Sequence, residues 1–183
     1  QACTTTPAKS TLKVLEASLR GSSGTTATSS SSFTAGVNTL SCTPVGSPRF
    51  GGDGFIELDG SNDQLTLEPL ASIGFTTTIA LWLRPGILTP STSGVWELSN
   101  GYRQDSFFLG LRDGSKCTVE VWESGSKISG FSTGTDCWDK SGRWVHLTVT
   151  LKTNAATVHR DGYRIALASS FAEPSLKTRS QNT

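Results

Sequence analysis

Apolar residues along this chain recur mostly at every second position, in short runs separated by turn-forming residues. The pattern is clearest over Trp144–Leu151, where Val145, Leu147, Val149 and Leu151 share one face and Trp144, His146, Thr148 and Thr150 the other. Thr157-Val158-His159-Arg160, the turn Asp161-Gly162 and Tyr163–Leu167 predict a hairpin. A second hairpin is predicted where Phe55–Leu58 and Leu65–Leu67 flank the turn residues Asp59–Asp63. Phe75–Leu83 predicts a longer strand, and apolar residues on both its faces near the end predict a central place in a sheet. Val95–Leu98, Phe107–Leu111 and Cys117–Trp122 predict three more strands, with turns at Asn100–Asp105 and Asp113-Gly114. No segment keeps a helical period. Short strands at this spacing predict an all-β, antiparallel sandwich of two sheets.

The N-terminal part reads differently. Leu12-Lys13-Val14-Leu15-Glu16 predicts a short first strand, and 21–34 is a Ser/Thr-rich run with too little apolar surface to offset its ordering entropy. That run is expected to be a surface loop and a candidate for O-linked sugar. At 183 residues the chain is expected to form a single domain, 1–183. A net charge of +1 gives no basic stripe with which to bind nucleic acid. No apolar stretch approaches the ~18 residues that membrane insertion by a helix requires.

Cysteine usage and the N-terminus point to an extracellular setting. Gln1-Ala2-Cys3 carries neither an initiator Met nor an apolar segment, as expected after removal of a signal peptide; a sequence that simply starts there is the alternative. The four cysteines, Cys3, Cys42, Cys117 and Cys137, show no metal-binding spacing. Of the three pairings open to them, Cys3–Cys42 with Cys117–Cys137 joins chain neighbours and is favoured, with free structural thiols as the alternative.

Four signatures in order carry a family resemblance. Gly54-Phe55-Ile56-Glu57-Leu58-Asp59-Gly60-Ser61-Asn62-Asp63 resembles the entry hairpin of laminin-G-like, concanavalin-A-like domains. Phe75 through Ile79-Ala80-Leu81-Trp82-Leu83-Arg84-Pro85 is similar to that superfamily's Trp-bearing strand. Trp144-Val145-His146-Leu147-Thr148-Val149-Thr150 is similar to its Trp-x-His strand, and Val158-His159-Arg160-Asp161-Gly162 to the hairpin that follows. The resemblance implies a jelly-roll sandwich of the lectin and glucanase kind, with Trp82 and Trp144 in the core and His146 a packed, hydrogen-bonded side chain. It also implies a final strand after Asn182 that the sequence does not contain. The chain is therefore expected to be part of a longer protein, or to have a neighbouring domain or chain complete its sheet edge.

Glu57-Leu58-Asp59 imitates half of a glucanase Glu-x-Asp-x-x-Glu strand, but Gly60, Ser61 and Asn62 follow and no second Glu appears. Asp59 reads better as a turn former, and no catalytic residue is expected. Calcium is a possible structural ion, with Asp63, Asp59 and Asp53 as candidate ligands. An exposed aromatic platform would suit sugar, and Trp138, Trp122, Trp96 and Tyr102 are the candidates, Trp138 first because it sits in the polar run Asp136–Lys140. The expected function is non-catalytic extracellular recognition of a glycan or glycoprotein, at the cell surface or in matrix. The alternative is an architectural module of a larger extracellular fibre or surface assembly, and a glycoside hydrolase is a distant third.

Overall fold

A computed structural model describes residues 31–35, 38–46, 49–50, 56–58, 64–67, 77–84, 93–112, 115–138, 142–174 and 180–182. Every regular element among them is a strand, so none is a helix long and apolar enough to cross a membrane. The chain divides into two compact units, 1–66 and 67–183.

In the first unit, β1 (Ser31–Ala35) pairs antiparallel with β2 (Asn38–Val45), and β3 (Arg49–Phe50) pairs antiparallel with β4 (Ile56–Glu57). Two expectations change here. Ser31–Thr34, assigned to the Ser/Thr-rich loop by composition, form part of β1, which pairs through its backbone with β2. Ile56–Glu57 find their antiparallel partner upstream in β3, so the expected hairpin with Leu65–Leu67 is not the pairing that β4 makes with β3. Those latter residues lie in β5 (Gln64–Leu67). The expected strand at Leu12–Glu16, and residues 21–30 of the loop, lie outside the described residues.

The second unit holds two antiparallel sheets. One contains β6 (Thr77–Leu83), β11 (Val145–Lys152), β12 (Ala155–Arg160) and β13 (Tyr163–Ala168), in the order β13-β12-β11-β6. In the other, β7 (Ser93–Ser99), β8 (Phe107–Arg112), β9 (Lys116–Glu123), β10 (Ser126–Ser132) and β14 (Gln181–Asn182) run in the order β14-β7-β8-β9-β10. The architecture is that of a jelly-roll sandwich.

Alternation decides what fills the space between the sheets. Val145, Leu147, Val149 and Leu151 of β11 are buried, with Ala156 and Val158 of β12 beside them. They pack with Leu98, Phe107, Leu109, Leu111, Val119 and Val121 from the opposing sheet. Burying each such side chain stabilises the fold by roughly 1.5–3 kcal/mol. The turn at Asp161-Gly162 has positive φ at both residues (51° and 84°), the geometry of a two-residue hairpin whose twist matches its strands. Asp161 also accepts a hydrogen bond from the His146 amide at Oδ1 (2.8 Å), which ties this hairpin to the start of β11.

The disulfide Cys117–Cys137 forms as expected and is fully buried. Cys137 N donates to Ser115 O at 2.7 Å, and Cys117 N donates to Thr133 Oγ1 at 3.0 Å, so the segment after β10 lies along the start of β9. Cys3 lies outside the described residues, and Cys42 contributes its backbone to β2.

Three tryptophans sit where the sequence did not predict them. Trp138 is only 1 % exposed, because the bridge and the Cys137 amide hold its segment against the core; it cannot serve as an exposed platform. Trp82 is 65 % exposed, since the register that turns Leu81 and Leu83 inward turns it outward onto the ring of His146, 5.0 Å away. Trp144 precedes β11 and stays partly exposed beside Arg84. Nor is β6 central: among the described strands it pairs with β11 alone.

Candidate functional site

The outward face of β7–β10 forms the candidate site. On β9, Val119 and Val121 point into the core, so Thr118, Glu120 and Trp122 point away from it. On β8, Phe107 and Leu109 are buried, which turns Phe108, and Ser106 just before the strand, to the outer face. Register brings these rows together: Phe108 lies opposite Glu120 on one side and Glu97 on the other, and Lys127 lies opposite Trp122. Ser106 and Trp122 exchange both backbone hydrogen bonds, at 2.9 and 2.8 Å, so their side chains leave the same face side by side.

Together these residues line an open groove of about 480 Å³, whose wall includes Glu97, Tyr102, Arg103, Ser106, Glu120 and Trp122. That volume falls within the range of small-molecule sites. One wall is the loop joining β7 to β8. Asn100 N donates to Gln104 O and Gln104 N to Gly101 O, both at 2.8 Å, which curls Gly101–Gln104 into a closed turn. Arg103 and Asp105 hold positive φ (56° and 49°), a backbone region unfavourable for non-glycine residues. The turn after β9 supports them: Gly125, at φ 81°, donates its amide to Arg103 O at 3.1 Å. Asn100 Oδ1 accepts from Ser180 N at 3.1 Å, fixing the loop's other end.

Charges in the groove are held by specific partners. The Arg103 guanidinium carbon lies 4.2 Å from the centroid of the Trp122 ring and 4.8 Å from that of Tyr102. Glu120 accepts from Trp122 Nε1 at 2.9 Å and from Lys127 Nζ at 3.3 Å, with Thr118 Oγ1 at 3.4 Å. Glu97 is half-buried, and desolvation pushes its carboxyl above the ordinary carboxylate range; nearby Ser106 and the charge of Arg103 oppose that rise only in part. Ser106 is 1 % exposed, and its Oγ, although beside Glu97, has no partner in hydrogen-bond geometry.

Of the four aromatic candidates, Trp122 and Tyr102 line this groove. Trp96 does not: a register shift between Gly94 and Trp96 turns its ring inward, edge-on to Phe107 at 4.6 Å, where Nε1 is buried without a partner. Trp138 is in the core, as described. Glu97, Arg103, Ser106, Glu120 and Lys127 were not singled out from sequence. The outward row Thr118-Glu120-Trp122, alternating with Val119 and Val121, was the signal that could have found two members of the site. Asp53, Asp59 and Asp63 lie outside the described residues, and among the described residues no three His, Cys, Asp or Glu side chains cluster as metal ligands.

A laminin-G-like family model, described as the concanavalin A-like lectin/glucanases superfamily, matches residues 59–183. No curated protein matches the chain. Among solved structures, the chain is similar to domain 4 of AbnA, a GH43 extracellular arabinanase from Geobacillus stearothermophilus solved in complex with arabinotriose. That likeness has a TM-score of 0.49 and 16% identity over 84% of this chain, and it spans 65% of the length of that domain. The chain is also similar to residues 221–444 of an S-layer domain-containing protein from Clostridium thermocellum ATCC 27405, with a TM-score of 0.47 and 21% identity, covering 80% of this chain and 69% of that one.

Proposed function

The chain belongs to the concanavalin A-like lectin/glucanase superfamily, and from that premise we propose that it is a non-catalytic recognition module that binds glycan in the groove on the outer face of β7–β10. The observation that carries this reading is the groove itself: two aromatic rings, Trp122 and Tyr102, beside hydrogen-bonding groups of both polarities on a rigid sheet. Sugar rings present apolar C–H faces and polar edges, and such a mixed wall suits both. The buried Cys117–Cys137 bridge supports an extracellular setting.

The groove holds two carboxyl groups, Glu97 and Glu120, on β7 and β9 with β8 between them. Glu120 is further tied to Trp122 and Lys127, which suits an oriented acceptor better than a proton donor. A glycan array probed with and without added calcium tests the reading. Binding that disappears in Trp122→Ala supports it, and no binding under either condition would sink it. Incubation with β-glucans and arabinans is expected to release no sugar; turnover lost in Glu97→Gln would overturn the non-catalytic assignment.

A second reading, an architectural module of a larger extracellular assembly, draws on the other sheet. Trp82 and Leu167 are exposed on β6 and β13, the two edge strands of that sheet among the described strands.

A further inference from the structure

We propose that Arg103 makes the groove selective for an acidic sugar, its guanidinium pairing with a single carboxylate or sulfate group carried by the sugar ring. The inference rests on the glycan reading above and narrows it to a class of ligand.

Arg103 supplies the first argument. It is exposed on the groove wall, its guanidinium carbon 4.2 Å from the Trp122 ring centroid and 4.8 Å from that of Tyr102. Among the described residues, no carboxylate or other acceptor stands within hydrogen-bond or ion-pair reach of this guanidinium. Its N–H donors are therefore open to a ligand, in the fork that matches two oxygens of one oxyanion. Contact with two rings, and the bond from Gly125 N to Arg103 O at 3.1 Å, hold the residue in place. Less side-chain entropy is then lost when an anion pairs with it.

Charge supplies the second argument. Lys127, the other cation among the described residues of the lining, is paired with Glu120 at 3.3 Å, and Glu120 also accepts from Trp122 Nε1. Arg103 is left facing Glu97, whose burial favours its protonated form. The lining is thus neutral with Glu97 ionised and positive once Glu97 is protonated, and in neither state does it repel an anion as a net negative site would. An anion seated on Arg103 also lies near Glu97, and like charge favours the protonated carboxyl, so binding takes up a proton. The other titratable groups around Glu97 are Tyr102 and Arg103 from the β7–β8 loop, Glu120 on β9 and Lys127 on β10; Gln181 and Asn182, which pair with the end of β7, carry no charge.

The test uses methyl glucuronide and methyl galacturonide with their methyl esters, and galactose 6-sulfate with galactose, followed by saturation-transfer NMR and titration calorimetry on the full chain. At least one acid is expected to bind about tenfold more tightly than its uncharged counterpart, and the advantage should shrink at high salt. Whether the uronides or the sulfate gain more identifies the oxyanion that is read. Arg103→Gln should bring that acid and its counterpart to equal affinity while the counterpart binds at least as well as before; Arg103→Lys, charged but without the fork, should restore only part of the difference. A residue that merely shaped the loop would weaken both sugars together, and that result overturns the inference. Affinity for the acid should rise as pH falls through the raised range of Glu97, and stay level across that range in Glu97→Gln. Equal wild-type binding of every acid and its counterpart, abolished in Trp122→Ala, overturns the inference alone. No binding of any of these sugars overturns the inference, and failure on the glycan array as well overturns the recognition reading with it.

Discussion

The guanidinium of Arg103 lies 4.2 Å from the centre of the Trp122 ring, so a cation shields part of the aromatic surface that lines the groove. Such a contact at an exposed site contributes about 0.5–1 kcal/mol. Arg103→Ala is therefore expected to lower stability by about that much and to increase acrylamide quenching of the tryptophan fluorescence. Unchanged quenching would mean that the stack does not persist in solution.

Burial raises the pKa of Glu97, and the sign of its effect on folding follows. A carboxyl whose folded-state pKa is raised binds its proton more tightly in the folded chain than in the unfolded one. Its contribution is fully present below the ordinary carboxylate pKa and is lost as pH rises through the elevated value. Glu97→Gln should thus stabilise the protein near neutral pH and match the wild type more closely at low pH. Urea denaturation across that range checks this; a Gln variant less stable at neutral pH would contradict it.

Trp138 and Trp82 make a paired test of which tryptophan is structural. Trp138→Ala removes a large side chain from the core and is expected to cost about 3–5 kcal/mol. Trp82→Ala, on an exposed face, is expected to change stability by about 0.5 kcal/mol or less. The reverse order in chemical denaturation would refute the burial described for both.

The Cys117–Cys137 bridge links positions 20 residues apart in the chain. Replacing both cysteines by alanine is expected to cost about 3 kcal/mol, mostly through the freedom regained by the unfolded chain. Comparing unfolding free energies of the double variant and the wild type measures it.

The fold was legible because its evidence is local and periodic. The buried row Val145, Leu147, Val149 and Leu151 stands in the sequence as plain alternation, and Asp161-Gly162 announces its own turn. Trp82 and Trp96 escaped for a different reason. A tryptophan in a strand points to one face or the other according to register, and a single shift between Gly94 and Trp96 reverses the answer. Trp138 misled because its neighbours are polar, whereas the bridge to β9 decides its place. Trp122 and Tyr102 were found as aromatic residues near turns. Arg103, Ser106 and Glu97 were not, because each gains meaning from a neighbour on another strand or loop.

The closed turn between β7 and β8 bears on how fast a ligand can be captured. Arg103 and Asp105 hold their unfavourable backbone angles through contacts within the chain, secured by Gly125 and Asn100. The ordering entropy of this wall is thus borne during folding, and association need not wait for a flap to close. Capture should follow single-exponential kinetics whose observed rate rises linearly with ligand concentration, without the plateau of a slow conformational step.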